Sequence, residues 1–377
     1  MASSAVIRAL SVTSECAPLV KTGGLADVAG ALPAALAGQG VQMRTLLPGY
    51  PAVLATLGTS QQAASFDDLF GGPAQVLATQ AAGLDLLVLD APHLFDRTGS
   101  LYLGPDGADW PDNAERFAAL SWVGAWIAAN GLDGWMPDVL HGHDWQAGLA
   151  PEYLRMMGAS DRVATVLTIH NIAFHGLTGA DGVDRLGLEP WRFNAEGYEF
   201  WGQVSALKAG LMASDYLTTV SETYAAELMT PDFGMGLDGV LRSRADSLHG
   251  ILNGIDETAW DPRTDPAITP YKSLRGKAKA KAALQAEFGL DPATGPLCVV
   301  VSRLTDQKGL DLLLEALPVL AAREAQLVLL GSGDAGLEAG FQTAAEDYPG
   351  VAVRIGYDEA LSHRIIATIQ SGYNSNI

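Results

Sequence analysis

Short apolar runs alternate with longer stretches of helical spacing along most of this chain, and that alternation confines it to parallel sheets covered by helices. Strand candidates in the first half are residues 6–12, 42–47, 84–89, 139–141, 164–169 and 216–220. A helix opening at Leu25 or Ala26 carries apolar side chains through Leu36 and stops near Gly38 and Gly40. Residues 66–83 read as a strand or loop excursion. The pattern changes at Asn253, where a turn signal leads into a proline-bearing stretch that runs through Pro270. A helix with Lys272, Lys277, Lys279 and Lys281 follows and ends at Gly289. A second series then begins, with strand 297–302, helix 309–322, strand 326–330, helix 336–348 and strand 351–355. With 377 residues to place, the chain suits two α/β domains, expected over 1–255 and 256–377. The second would hold three clear strands, where a doubly wound domain usually has about five or six, so it is expected to be unfinished.

Charge narrows the partners. The formal net charge is −20, which repels phosphate backbones and anionic lipid, so neither nucleic acid nor a membrane surface is an expected partner. An anionic ligand would need a local cluster of cations. Cys16 and Cys298 are the only cysteines and stand far apart, which argues against a disulfide framework and fits a reducing compartment. The uncharged run 117–132 is shorter than a bilayer span and reads as a buried helix. No cleaved leader is apparent. A cytoplasmic location is expected.

Four local patterns carry possible chemistry. Lys21-Thr22-Gly23-Gly24 stands between a strand and its helix. Paired glycines admit close backbone approach, a helix N-terminus offers N–H groups, and Lys21 adds a cation, a set suited to a diphosphate. The alternative is an ordinary βα turn with a solvated lysine. Arg303 and Lys308 lie at another strand-to-helix junction, where they can converge on one diphosphate or form a solvated basic turn. His170 and Asn171 follow the strand ending at residue 169, beyond whose carboxyl end ligands of open sheets bind; a satisfied core histidine is the other reading. His141 and His143 flank Gly142 just before Asp144, but no third ligand of suitable spacing accompanies them, so no metal is expected. The chain also lacks an Asp-x-Asp metal motif.

Set in order, these patterns have a wider meaning. Residues 14–28 read SECAPLVKTGGLADV, followed by DWPDN at 109–113, HGHDW at 141–145 and TIHN at 168–171. VSETY at 220–224, NGID at 253–256, SRL at 302–304 and QKG at 307–309 complete the series. The chain closely resembles bacterial glycogen synthases and plant starch synthases from residue 14 to residue 366. That resemblance implies a GT-B arrangement of two Rossmann-like domains with the cleft between them as active site. It also implies transfer of glucose from ADP-glucose to an α-1,4-glucan with retention, and no cofactor. On the same ground, His170, Asp144, Arg303 and Lys308 would be catalytic. His170 would contact the transferred glucose, Asp144 would lie on the sugar or acceptor side, and the two cations would hold the diphosphate. Lys21, Gly23, Gly24, Asp27, Tyr102, Asn171 and Asn253 would bind ADP-glucose. Leu101 departs from the family, which commonly has proline before this tyrosine. Oligomeric state is left open.

One feature of the family is missing. The Glu-Pro-Cys-Gly stretch that opens its Glu-x7-Glu motif does not occur. Glu338 and Glu346 have the spacing but fall on an amphipathic helix and are expected to form a solvated face. The family pattern runs through His363-Arg364-Ile365-Ile366-Ala367 and gives way to a polar-leaning tail, read as a truncation or frameshift that would expose an edge strand and an apolar helix face. Two alternatives therefore stand beside the active synthase: an inactive fragment that binds glucan or ADP, and a relative that uses UDP-glucose.

Overall fold

The β1 strand Ile7–Val12 is IRALSV, with Ala9 through Val12 all buried, as suits a strand at the middle of the main sheet, paired on both sides. The structure is a computed structural model that describes residues 6–292 and 295–369. The chain divides into two compact units, 1–253 and 254–377.

In the first unit β1 is followed by β2 (Val41–Pro48), β3 (Gln61–Phe66), β4 (Ala74–Ala81), β5 (Leu84–Asp90), β6 (Val139–His143) and β7 (Ala164–Ile169). Three short strands come next: β8 (Leu177–Thr178), β9 (Glu199–Phe200) and β10 (Gln203–Ser205). β11 (Tyr216–Thr219) and β12 (Leu248–Gly250) close the unit. The main sheet has the order β12-β11-β7-β6-β1-β2-β5-β4-β3. It is parallel from β12 to β5, and β4 then runs antiparallel to both β5 and β3. The expected excursion at 66–83 thus contains a full strand, β4, that extends the sheet. β3 was not anticipated. Its Gln61-Gln62 start is exposed, as an edge strand allows, and carries no apolar alternation. β8, β10 and β9 form a separate small antiparallel sheet, also unforeseen.

The run 117–132 lies largely in the helix Asn113–Asn130, where Phe117 through Ser121, Val123 through Ala125, Ile127 and Ala128 are all buried. It is apolar nearly all round because it is sandwiched in the core. No helix of the described residues is long and apolar enough to cross a membrane.

The second unit is built on β13 (Leu297–Val301), β14 (Gln326–Gly331) and β15 (Val351–Ile355), parallel and in that order. β14 is central and wholly buried, whereas every residue of β13 is half-buried. Leu310, Leu317, Leu337 and Phe341 cover one face of the sheet. Leu284, Leu290, Leu361 and Ile365 cover the other. Leu312 and Val319 on the helix Leu310–Ala322 remain exposed. His363 ties the start of the unit to its last helix: its Nδ1 lies 2.7 Å from Asp265 Oδ2 and its ring stacks on Trp260 at 3.9 Å. The expected polar tail falls mostly on residues 370–377, which lie outside the described residues.

Candidate active site

Strand order reverses about β1, which has β2 on one side and β6 on the other. The carboxyl ends at such a switch point are where open α/β sheets bind ligands. The loops that leave β1, β6 and β7 there carry most of the candidate residues of the first unit.

After β1 the chain passes through buried Thr13, Ser14 and Glu15. Glu15 is 3% exposed, and its carboxylate accepts from the backbone N–H groups of Thr22 and Gly23 and from the Thr22 hydroxyl at 2.6 Å. It also accepts from the Tyr102 phenol at 2.5 Å, while Ser14 Oγ stands 2.8 Å from the same phenol. Burial, and then the Glu15 carboxylate, push the Tyr102 phenol well above its usual pKa, so it stays protonated as a donor. Asn113 donates to the Tyr102 carbonyl at 2.9 Å and buried Arg116 to that of Leu101 at 3.0 Å, which fixes the loop carrying the ring.

This arrangement modifies the expectation for the Lys21-Thr22-Gly23-Gly24 turn. Two of the N–H groups assigned to an anionic ligand are taken by Glu15, which acts as a built-in anion at the start of the helix Gly24–Ala37. Lys21 Nζ lies 2.8 Å from Asp27 Oδ1. A Cβ added at Gly23 or Gly24 would meet nothing within 4 Å, so internal packing does not require either glycine.

Asp144, just past β6, has a φ of 54° and is buried. Its Oδ1 accepts from the backbone N–H of His170 at 2.6 Å and of Asn171 at 3.2 Å, which binds the ends of β6 and β7 together. Burial pushes the Asp144 carboxyl up to about 7, against the two N–H groups that favour its charge and with Glu15 adding to the rise. His143 lies fully buried with Nε2 3.1 Å from Ser11 Oγ and Nδ1 3.0 Å from His170 Nε2. His141 Nε2 is 2.7 Å from Thr168 Oγ1. Burial lowers His141 to about 4 and His170 to about 3, and carries His143 well below its ordinary value. All three imidazoles are neutral at pH 7. Each ring therefore has one donor and one acceptor, and the shared bond couples the tautomer of His170 to that of His143.

In the second unit the loop after β13 lies backbone to backbone with the loop after β14. Leu304 donates to the Ser332 carbonyl at 2.9 Å, and Asp334 to the Leu304 carbonyl at 2.8 Å. A Cβ at Gly333 would stand 2.2 Å from the Leu304 oxygen, so only glycine permits the approach. Lys308 sits half-buried in the turn Asp306–Lys308; burial, then the nearby Arg303 charge, lower its pKa from the usual lysine value. Arg303 is exposed. Glu346 is exposed as expected, but Glu338 differs from a solvated side chain: its Oε1 accepts from the Gly333 N–H at 2.8 Å and braces that loop.

The structure thus gathers Lys21, Gly23, Gly24, Asp27, Tyr102, Asp144, His170 and Asn171 near the carboxyl ends of neighbouring strands. Arg303 and Lys308 stand together in the second unit. Asn253 is exposed at the end of the first unit. Glu15, Ser11 and His143 had not been singled out for roles of this kind. The first and last lie inside the motifs, yet their partners depend on strand register: Ser11 pairs with His141 across β1 and β6, which puts His143 on the same face two residues on.

The starch synthase catalytic domain family matches residues 8–243. The glycogen synthase of Jannaschia sp. (strain CCS1) is 64% identical over 360 residues, covering 96% of this chain and 75% of the relative. That of Paracoccus denitrificans (strain Pd 1222) is 61% identical with the same coverage. Among solved structures, the catalytic domain of starch synthase IV from Arabidopsis thaliana, bound to ADP and acarbose, matches with a TM-score of 0.83 at 28% identity. That match covers 97% of this chain and 77% of the other. With this degree of agreement in both sequence and fold, the chain belongs to the glycogen and starch synthase family of hexosyltransferases.

Proposed function

We propose that the chain transfers glucose from ADP-glucose to the non-reducing end of an α-1,4-glucan with retention at the anomeric carbon. The observation that carries this reading is the cluster at the ends of β1, β6 and β7. There Glu15 locks the glycine turn and Tyr102 into one unit, and Asp144 locks His170 and Asn171 into another. The starch synthase IV match, solved with ADP and acarbose, supports both the donor and the acceptor class.

Each residue type suits its part. His170 is neutral, so it can hydrogen-bond a glucose hydroxyl without setting a full positive charge beside the reacting carbon, where positive charge develops during transfer. Breaking the glycosyl–phosphate bond adds negative charge to ADP, and Arg303 with Lys308 stabilises that charge more in the transition state than in the ground state. Gly23 and Gly24 leave the backbone open for close approach. A second reading is binding of glucan and ADP without transfer; Glu338, which has the spacing of the family's glutamate, has its Oε1 engaged by the Gly333 N–H.

The test is transfer of labelled glucose to glycogen from ADP-glucose, with UDP-glucose in parallel. Label incorporated from ADP-glucose is the expected result. Incorporation from UDP-glucose alone would replace the donor, and none from either, in a folded protein that binds ADP, would establish the second reading.

A further inference from the structure

The hairpin of β9 and β10 turns through Trp201 and Gly202 alone, with Phe200 paired to Gln203. Both turn residues have positive φ, 51° and 80°. That is the backbone of a type I′ turn, whose first position favours Asn, Asp or Gly and penalises a bulky aromatic. Packing does not offset the strain, because Trp201 is 81% exposed. The turn is firmly held from beneath. The buried Lys208 ammonium donates to the Glu199 carbonyl at 2.5 Å, and the Glu199 carboxylate accepts from the Gly202 N–H at 2.7 Å. A strained, exposed indole on a rigid support points to a contact outside the fold.

Its surroundings indicate the contact. The Phe200 ring lies 6.3 Å from that of Trp201 and 4.8 Å from that of His175. A Cβ at Gly236 would stand 3.7 Å from the Trp201 indole nitrogen. The neighbours of those residues in the chain, Phe174 and Met235, are exposed by 51% and 49%. The segment from His170 and Asn171 to Phe174 and His175 is one continuous loop, so the His175 ring that packs on Phe200 is borne by the same loop as the candidate site residues.

We propose that Trp201, backed by the Phe200 ring, is a stacking platform for an outer glucose unit of the acceptor chain; the proposal rests on the glucan reading above. The C–H face of a pyranose packs on an aromatic plane while its hydroxyls stay in water. A neutral polysaccharide also meets no repulsion from a chain of net charge −20, as a nucleic acid would.

The experiment compares the full chain with Trp201→Asn and Trp201→Phe by electrophoresis through glycogen-containing gels, with thermal midpoints, sedimentation and label transfer from ADP-glucose measured alongside. Asn fits the turn better, so Trp201→Asn should keep or raise the midpoint while its dissociation constant for glycogen rises about tenfold. Trp201→Phe should retain most of the affinity. Equal retention of all three proteins would overturn the platform, as would a sharp drop in midpoint, which would make Trp201 a packing residue. A change in sedimentation between parent and Trp201→Asn would assign the surface to contact between copies instead. A parent that transfers glucose but is not retained would sink the platform and leave the function standing; one that does neither would remove the glucan reading itself.

Discussion

His143 Nδ1 stands 3.0 Å from His170 Nε2, and Ser11 Oγ holds the other nitrogen of the His143 ring at 3.1 Å. The residue proposed to meet the glucose is therefore oriented by a buried imidazole that is itself fixed by β1.

His143→Phe should remove the ring's bonds to both His170 and Ser11 and lower kcat about tenfold or more, in line with the loss of buried hydrogen bonds. The KM for ADP-glucose should move less, since His143 is fully buried. His143→Asn, which keeps a polar atom near the Nδ1 position, should recover part of the rate. Steady-state kinetics on the three proteins checks this, and an unchanged kcat in His143→Phe would contradict it.

Glu15 offers a structural counterpart. Glu15→Gln replaces an oxygen that accepts from Thr22 and Gly23 with an amide or a weaker acceptor. The turn should loosen at a cost of about 1–3 kcal/mol, the range for a buried group left unsatisfied. Hydrogen exchange at the Thr22 and Gly23 amides should quicken while the β1 amides stay protected. Unchanged exchange at both turn amides would show that the glycine turn stands without Glu15.

Much of this architecture was legible in the sequence. The strands at β1, β2, β5, β6, β7 and β11, and all three of the second unit, have the compact apolar runs that buried parallel strands need. β3 escaped because an edge strand tolerates Gln61 and Gln62. The β9–β10 hairpin escaped because its turn dipeptide is Trp-Gly, which carries no turn signal in its first position. At the candidate site, the motifs singled out Asp144 and His170, which the structure brings together at the ends of β6 and β7. The roles of Glu15, Ser11 and His143 were hidden because each partner comes from a distant strand or loop brought near only by register and crossover.

The cation pair is tested more directly. Arg303→Ala or Lys308→Ala should weaken ADP binding about 10- to 100-fold, as expected for the loss of a charged hydrogen-bond partner to phosphate. Each should cut glucose transfer at least as far, because the pair is assigned to charge that grows in the transition state. Calorimetric titration with ADP and label transfer measure the two effects. Variants that bind ADP and turn over like the parent would remove the pair from the site.

The opposed titrations of His141 and Asp144 give the pH dependence of stability a sign that can be checked. Burial holds His141 near 4 in the folded chain, against 6.5 for an exposed imidazole. Between those values the unfolded state binds a proton that the folded state refuses, so this contribution is present above 6.5 and is lost as pH falls towards 4. Asp144 acts in reverse. Folded, it keeps its proton up to about 7; unfolded, it releases it near 3.9, so its contribution is present at low pH and is lost as pH rises. From roughly pH 4.5 to 6 each group changes the slope of unfolding free energy against pH by up to about 1.4 kcal/mol per unit, with opposite sign. His141→Asn should therefore make the slope less positive, and Asp144→Asn should make it more positive. Denaturant titrations across this window measure both slopes, and a shift in the same direction for the two variants would show that the buried pair is not titrating as the structure requires.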